Sequence, residues 1–476
     1  MSAKAIRYVD DHFARFTDTL RTLARIPSVS AEPAPSAAMK RSAEAVRGAM
    51  TEAGLAGARV IEQDGAHPYA YGEWLGAPGR PTLLLYAHHD VQPPGRAEHW
   101  KSPAFEPTLR ADGRLYARGI VDDKAGILIH LAAIEAWLAT EGKLPVNVKL
   151  IVEGEEEIGS DHLEAFLARH KEMLRADVIV LTDTANLEAG LPSLTYRLRG
   201  ICNVEVEVTG LDHPLHSGMW GGPLADPVQA MAKILATLSD ADGVCAIPGI
   251  FDEVREPTRL EREALAKLPF DEAKFRADGG VLPGARLVGE QGFSVYEKLW
   301  LRPSVTVIAL EASPLQGSSN QLVPSARARV SVRLVPDMDP ARTARKIVAH
   351  LEKAAPWGVT VRTRVESGSP GWICDPAGPA FEAARRALGK GYGREVALIG
   401  AGGSIPFVGP FAEAFGGAPA LLVGLEDPIC NAHSENESLN LDDWKKAMKG
   451  AVHLYEELAS SQPTLRDAQG PSAAAR

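Results

Sequence analysis

The sequence predicts an α/β protein whose mainly parallel sheet is interrupted by an inserted α+β domain. Helical and strand-like segments alternate over residues 1–195, which is typical of βαβ units and a parallel sheet. Over residues 196–367 the strand-like segments alternate polar and apolar side chains, as in a sheet covered on one face. The first pattern returns over residues 368–476. We therefore expect one domain built from the two outer parts of the chain, with a second domain inserted between them.

The elements of the first outer part follow from hydrophobic periodicity. We expect helices near residues 5–25, 36–54 and 124–140. We expect strands near residues 58–62, 70–75, 82–87, 146–152 and 177–182. The run Leu83-Leu84-Leu85-Tyr86 is apolar at every position, so we expect a core strand that is buried on both faces.

The inserted part contains four strand-like and two helical segments. The strands are expected in "YRLRGICNVEVEVTG", "SVTVIALEA", "ARARVSVRLVP" and "GVTVRTRVES". The amphipathic helices are expected in "DPVQAMAKILATL" and "ARTARKIVAHLEKA". In the last part, "AFEAARRALGKGYG" and "LDDWKKAMKGAVHLYEELA" predict helices, and "APALLVGLE" predicts a strand between them.

The composition argues against several classes of protein. The 476 residues carry a formal net charge of −10 without any basic run, which argues against a nucleic-acid surface. No stretch approaches eighteen uninterrupted apolar residues and the first residues lack a signal-peptide core, so we expect a cytoplasmic protein without membrane contact. The four cysteines form no CxxC pair, which argues against a disulfide framework and a thiolate zinc site.

Five polar clusters follow predicted strands or lie in glycine-containing loops. They are "HHD" at 88–90, "GIVDDKAG" at 119–126, "VEGEEEIGS" at 152–160, "LTD" at 181–183 and "NAHSENE" at 431–437. Open α/β sheets place their ligands at the carboxyl ends of the strands. Histidines and carboxylates without thiolates suit a hydrolytic zinc or manganese site, in which bound water becomes more acidic.

Each cluster alone has a simpler interpretation. Two histidines at a strand end can satisfy backbone groups, three glutamates are most often a solvated loop, and two aspartates before a lysine commonly cap a helix. Cys430, three residues before His433, is more readily interpreted as a buried thiol than as a ligand. The succession of all five clusters along one chain favours a shared site.

In this order the clusters resemble those of the metallopeptidase family that holds two zinc ions and includes carnosine-type dipeptidases, aminoacylases and desuccinylases. The resemblance extends from about residue 20 to residue 455. It implies two divalent metal ions per subunit, with Zn²⁺ expected and Mn²⁺ or Co²⁺ as alternatives. The implied metal ligands are His88, Asp122, Glu157, Asp183 and His433, with Asp122 bridging the two ions.

Two further carboxylates receive roles by the same resemblance. Glu156 matches the general base for a water or hydroxide that bridges the two metals. Asp90 points the same way as His88 in an extended strand, so it can accept the other imidazole N–H and fix the ring. The peptide bond between Asp122 and Asp123 is expected to be cis, as in the family.

The resemblance also implies substrate contacts. His216, in "LDHPLHSGMWGG", matches a histidine that donates a hydrogen bond to the developing oxyanion. Arg333 matches an arginine that binds the terminal carboxylate of a substrate, for which a guanidinium fork is well shaped. Gln321 takes the place of a Thr or Asn of the relatives, and Gly403 and Ser404 lie in the glycine loop "GAGGSIPF".

One feature departs from the family's pattern, and two others favour its dipeptidase branch. Gly400 and Ala401 stand where relatives usually carry an Arg-Glu or similar charged pair, so contacts made by those charges are not expected here. Asp183 is a Glu in carboxypeptidases, aminoacylases and desuccinylases, and residues 243–300 resemble an extra segment of the nonspecific dipeptidases. We therefore expect a dipeptidase that acts on small peptides. We also expect it to form a homodimer through the inserted domain, which would serve as lid and dimerisation domain. An N-acyl amino acid deacylase and a non-catalytic binding homologue are the alternatives.

Overall fold

The computed structural model describes residues 2–33, 36–403, 405 and 408–461. Its helices are α1 (Ser2–Ala24), α2 (Ala37–Glu52), α3 (Lys124–Glu141), α4 (Leu163–Arg169), α5 (Lys171–Leu174), α6 (Ser217–Trp220), α7 (Pro227–Ala236), α8 (Arg259–Ala266), α9 (Glu272–Asp278), α10 (Val295–Trp300), α11 (Pro340–Lys353), α12 (Pro379–Tyr392), α13 (Val408–Ala414) and α14 (Leu441–Ser460). Its strands are β1 (Ala56–Ile61), β2 (Tyr69–Trp74), β3 (Thr82–His88), β4 (Thr108–Leu109), β5 (Arg114–Tyr116), β6 (Asn147–Glu153), β7 (Val178–Leu181), β8 (Ser193–Leu198), β9 (Gly200–Thr209), β10 (Leu215–His216), β11 (Ser304–Glu311), β12 (Gln321–Leu322), β13 (Ser325–Leu334), β14 (Thr360–Ser369), β15 (Trp372–Ile373), β16 (Ala397–Ala401), β17 (Ala420–Val423) and β18 (Ser438–Asn440).

The largest sheet has nine strands in the order β1-β2-β6-β3-β7-β17-β8-β15, with β16 paired to β8. Its central strands β6, β3, β7 and β17 run parallel. Antiparallel strands flank them on both sides. The expected α/β architecture with a mainly parallel sheet is confirmed, and the antiparallel strands lie toward its edges.

The central strands are apolar because each of their faces packs against a different layer of helices. Leu83 and Leu85 of β3 share a core with residues of α1, α3 and α14. Leu84 and Tyr86 of the same strand share another core with residues of α4 and α13. This two-sided burial explains the continuous apolar run in the sequence.

A second sheet has the order β11-β13-β9-β14 and is antiparallel throughout. Buried and half-buried residues alternate along β9, and α7 and α11 pack against its buried face. Its strands lie between the two parts of the chain that build the nine-stranded sheet. The expected inserted α+β domain is therefore confirmed.

The alternating run "YRLRGICNVEVEVTG" forms two strands in different sheets. β8 belongs to the nine-stranded sheet and β9 to the four-stranded sheet, with Arg199 between them. The chain returns through β14, which pairs with β9, and β15, which pairs with β8. The two connections between the sheets therefore lie side by side.

Helices α8 and α10 belong to a segment that packs against the nine-stranded sheet. Leu265 of α8 and Trp300 of α10 share a small core with Leu191, Ala397 and Ile399. The last two residues are part of β16. Within the described part of the chain, no helix is both long and apolar enough to cross a membrane.

Candidate active site

Polar segments meet at the carboxyl ends of the central strands. β3 ends at His88, and a short 3-10 turn with Glu156 and Glu157 follows β6. Asp183 lies two residues after the last residue of β7. Because these strands are adjacent and parallel, their ends bring the side chains to one edge of the sheet.

Asp122 lies between two imidazoles and faces each with a different oxygen. Its Oδ1 is 3.0 Å from His88 Nε2, and its Oδ2 is 2.9 Å from His433 Nε2. Asp183 Oδ2 lies 3.9 Å from the same His88 nitrogen. Glu157 Oε2 lies 3.0 Å from the same His433 nitrogen. The five residues form two three-residue groups that share Asp122.

Each group could hold a divalent metal ion. One ligand atom from each of the three residues lies within 4.8 Å of the others. Hydrogen bonds to Asp122 and Glu157 raise the pKa of His433 to about 11, and burial raises the pKa of Asp183 to about 7. Such shifts arise where carboxylates are crowded without enough positive charge, which metal ions would supply. The imidazole and carboxylate donors therefore fit zinc or manganese.

Asp90 and Gln92 hold the ligand-bearing segments in place. The buried carboxylate of Asp90 lies 3.3 Å from His88 Nδ1 and accepts hydrogen bonds from the backbone N–H groups of Glu156 (3.2 Å) and Glu157 (3.0 Å). Gln92 donates from Nε2 to the Glu157 carboxylate at 2.9 Å. The sequence analysis missed Gln92, whose only signal was its place two residues after Asp90.

Glu156 stands outside both three-residue groups. It lines the same cavity as Asp122 and Asp183. Burial raises the pKa of Glu156 well above its usual value, and the negative charge of Asp183 raises it further. A carboxylate with a raised pKa is a stronger base, which suits a group that accepts and returns a proton.

The loop that carries Asp122 is held by Glu437, a second residue that the sequence analysis did not single out. Its buried carboxylate accepts hydrogen bonds from the backbone N–H groups of Gly119 (2.8 Å) and Val121 (3.1 Å). It also pairs at 2.7 Å with the buried guanidinium of Arg118. Glu437 thereby positions Asp122 without belonging to either three-residue group.

A cavity of about 980 Å³ opens onto these groups. Its acidic and imidazole lining includes Asp122, Glu156, Asp183, Glu426 and His433. Glu426, three residues beyond the end of β17, was missed because a single Glu after a strand carries no distinctive sequence signal. Burial and the neighbouring charges of Asp122 and Asp183 raise the pKa of Glu426 well above its usual value.

Of the expected substrate contacts, His216 and Gln321 are neighbours outside the cavity lining. The two residues are paired across β10 and β12, and both are exposed. The backbone N–H of Gly218 donates to His216 Nδ1 at 3.1 Å, which leaves Nε2 as the protonated nitrogen. Neither His216 nor Gln321 is among the described residues that line the cavity containing Glu156.

Arg333 lies on β13 opposite Ser304 of β11 and is half-buried. It is close enough to Arg199 for the two positive charges to interact, and burial together with Arg333 lowers the pKa of Arg199 to about 10. Arg199 donates to the carbonyl oxygen of Gly402 at 3.2 Å. Gly402 and Gly403 both line the cavity. Ser404 lies outside the described residues.

The chain is similar to known proteins along most of its length. A family model described as "Peptidase family M20/M25/M40" matches residues 84–457. The "Cysteinylglycine-S-conjugate dipeptidase" of Corynebacterium striatum is 33% identical over 362 residues, which cover 76% of this chain and 77% of that protein. The "Beta-Ala-His dipeptidase" of Homo sapiens is 29% identical over 475 residues, which cover 96% of this chain and 92% of that protein.

Among solved structures, the di-peptidase Dug1p from Saccharomyces cerevisiae has a TM-score of 0.86 at 24% identity, with coverage of 97% of this chain and 99% of that one. At this identity the likeness concerns the fold. The segment that matches the family model includes all five residues of the two three-residue groups. The chain is thus a hydrolase acting on peptide bonds, and it belongs to peptidase family M20/M25/M40.

Proposed function

We propose that this peptidase hydrolyses the peptide bond of small dipeptides at a site that binds two divalent metal ions. The observation that carries the proposal is Asp122, whose two oxygens face His88 and His433 respectively. Two relatives bear the names of dipeptidases, which supports dipeptides as the substrate class. Zn²⁺ is the expected ion, with Mn²⁺ or Co²⁺ as alternatives. When bound, the ions would polarise the scissile carbonyl and make water more acidic.

We assign one ion to His88, Asp122 and Asp183, and the other to Asp122, Glu157 and His433. The two groups are the sets of side chains whose ligand atoms cluster in the structure. One carboxylate shared by two ions fits two-metal hydrolases, in which the ions act together on one reacting bond.

Glu156 is the proposed general base. Its carboxylate lines the cavity but is not part of either ligand group, so it is free to take a proton. It would remove a proton from the attacking water and return it to the leaving amine. Asp90 would keep Glu156 in place through the backbone hydrogen bond of 3.2 Å and would orient His88.

Arg333 is proposed to bind the terminal carboxylate of the dipeptide. The nearby Arg199 hydrogen-bonds to two neutral groups, the carbonyl of Gly402 and the hydroxyl of Ser304. The guanidinium group of Arg199 therefore lies beside the glycine loop that lines the cavity, and Arg333, which is not itself part of the lining, is close enough to Arg199 for the two charges to interact. Such a pair suits a carboxylate, which accepts hydrogen bonds from guanidinium groups with defined geometry.

A second copy of the chain is proposed to complete the site. β11 is an edge strand, and its apolar side chains Val307, Ile308 and Leu310 are exposed. An exposed apolar edge strand is a template for pairing with another chain. His216 is exposed and is joined through β10 and β12 to the same inserted domain. We infer that pairing through this domain brings His216 to the partner's cavity, where its Nε2–H would stabilise the oxyanion.

The proposed activity is tested with a panel of free dipeptides and N-acyl amino acids, each assayed with Zn²⁺, Mn²⁺ and Co²⁺. We expect hydrolysis of dipeptides, dependent on added metal after treatment with a chelator. Hydrolysis of N-acyl amino acids alone would indicate the deacylase alternative. No hydrolysis of either class by metal-loaded protein would contradict the enzymatic proposal.

A further inference from the structure

The cavity over the metal-ligand groups has a second kind of lining. Beside its acidic part it is bounded by residues of the segment 259–301. The lining residues from this segment are Pro269, Gly279, the charged residues Asp271, Lys274 and Asp278, and five large apolar residues, Phe270, Phe275, Tyr296, Leu299 and Trp300. We call these five residues the aromatic wall. The cavity therefore combines the groups that would act on a peptide bond with a surface that suits apolar side chains.

The rings of the aromatic wall form a continuous series. The ring centroids of Phe270 and Phe275 are 5.8 Å apart, and those of Phe270 and Tyr296 are 5.5 Å apart with an edge-on geometry. Tyr296 stacks on Trp300 at 4.7 Å. Each of these distances lies in the range of favourable aromatic pairs, so the rings hold one another in place.

The aromatic wall is attached to the nine-stranded sheet. Trp300 is buried and packs directly on Gly400 of β16, where an added Cβ would lie 2.7 Å from Trp300 Cβ and Cγ. Gly400 and Ala401 also line the cavity. The contact between Trp300 and Gly400 therefore positions the wall relative to the catalytic groups, and Gly400 and Ala401 add no charge beside it.

Part of the wall is available to a ligand. Phe270 is 44% exposed even though it contacts two other rings. A volume of about 980 Å³ is at the upper end of the range for drug-sized ligands, roughly 300–1,000 Å³. A dipeptide of small residues would leave the exposed ring in contact with water. A large apolar side chain would cover it and gain from the hydrophobic effect.

We propose that the aromatic wall selects dipeptides that carry a large apolar or aromatic side chain. This inference rests on the proposed function, since it assumes that a dipeptide is bound with its peptide bond near Glu156. It makes Phe270 a specificity-determining residue, because Phe270 is the exposed member of the wall. The discrimination available from a hydrophobic pocket is about 10- to 200-fold for a single methylene.

The test uses two series of dipeptides, one with Ala, Leu or Phe before Gly and one with the same residues after Gly. We expect kcat/KM to rise about 10-fold or more from Ala to Phe in at least one series. In that series Phe270→Ala should lower kcat/KM for the Phe-containing dipeptide about 10-fold. It should change kcat/KM for the Ala-containing dipeptide less than about 2-fold. Phe270→Leu, which keeps part of the apolar surface, should lie between Phe270→Ala and the unchanged enzyme.

Leu282→Ala is the matched control, because Leu282 lies in the same segment and is 76% exposed but does not line the cavity. Leu282→Ala should leave kcat/KM unchanged for the dipeptides of both series. Equal rates for Ala and Phe substrates in both series would overturn the inference while leaving the dipeptidase proposal intact. Equal losses on Ala and Phe substrates in Phe270→Ala would also overturn it. Absence of hydrolysis for every dipeptide would overturn both proposals.

Discussion

At the scale of single residues, Asp122 is the side chain on which both proposed metal positions depend. Asp122→Ala should lower the metal content at both positions and abolish activity, because each three-residue group loses a member. His433→Ala should chiefly empty one position. The measurement is elemental analysis of dialysed protein, with the exposed Asp112→Ala as a control that keeps both ions. Two retained ions per chain in Asp122→Ala would contradict the bridging role.

Glu156 differs from Glu157 in a way that can be measured. Glu156→Gln should keep both metal ions, since Glu156 belongs to neither ligand group, and should lower kcat by about 10²- to 10⁴-fold because proton transfer is lost. Glu157→Gln should lose metal from one position. Metal analysis and steady-state kinetics on both variants separate the roles. The reverse pattern would show that the register of the glutamates is shifted by one residue.

Arg333 tests the orientation of the substrate. Arg333→Ala should reduce kcat/KM for free dipeptides by one to two powers of ten, since a charge-assisted hydrogen bond contributes about 1.5–3 kcal/mol. Dipeptide amides, which lack the terminal carboxylate, should be affected much less. Arg329→Ala is the control, because Arg329 lies on the same strand and pairs with Glu366. Equal losses on acids and amides would remove Arg333 from the carboxylate site.

Residues in compact motifs could be located from the sequence, and residues that act through the tertiary structure could not. The five residues of the two three-residue groups follow strands or lie in short polar motifs, and all five meet in the structure. Arg199 and Glu426 carry no local signal. Arg199 lies beside Gly402, and Glu426 lies in the cavity lining. Both positions depend on how segments that are distant in the sequence pack together.

At the scale of elements, the loop from Gly119 to Asp122 is held by the buried pair of Glu437 and Arg118. Glu437→Gln should lower the free energy of unfolding by about 3–5 kcal/mol, because it leaves a buried guanidinium without its countercharge. Urea denaturation measures the loss. Glu106→Gln removes one partner of the exposed pair with Arg25 and should cost less than about 1 kcal/mol. Similar effects for the two variants would contradict the importance of the buried pair.

The types of most elements could be predicted, but not which sheet or layer each one joins. Polar and apolar side chains alternate along the whole run that contains β8 and β9. The sequence period therefore gives no sign that the two strands join different sheets. The helices α8, α9 and α10 have only six to eight residues each, which is short for recognition by periodicity. Residues of α9 and α10 line the cavity, and contacts such as Trp300 on Gly400, which only the folded chain reveals, fix the position of α10.

At the scale of the whole molecule, the two sheets separate two kinds of surface. The nine-stranded sheet brings the metal-ligand groups together at its strand ends. The four-stranded sheet leaves β11 at an edge with exposed apolar side chains, and His216 lies in the same inserted domain. The inserted domain could be predicted from the change of strand pattern. The exposure of His216 outside the cavity could not, since it depends on where the β10 and β12 pair is placed.

A subunit-mixing experiment tests whether His216 acts on the partner's cavity. His216→Ala and Glu156→Gln should each be nearly inactive alone. In a heterodimer of the two variants, one composite site lacks both groups and the other keeps both, because each site would combine Glu156 of one chain with His216 of the other. Random pairing makes about half of the dimers mixed. Activity should therefore recover to about a quarter of that of the unchanged enzyme if the sites act independently.

Dimer formation is measured by sedimentation, and mixed dimers are identified with differently tagged chains. No recovery in verified heterodimers would mean that His216 acts within its own chain, and a monomeric enzyme with full activity would contradict the shared site altogether.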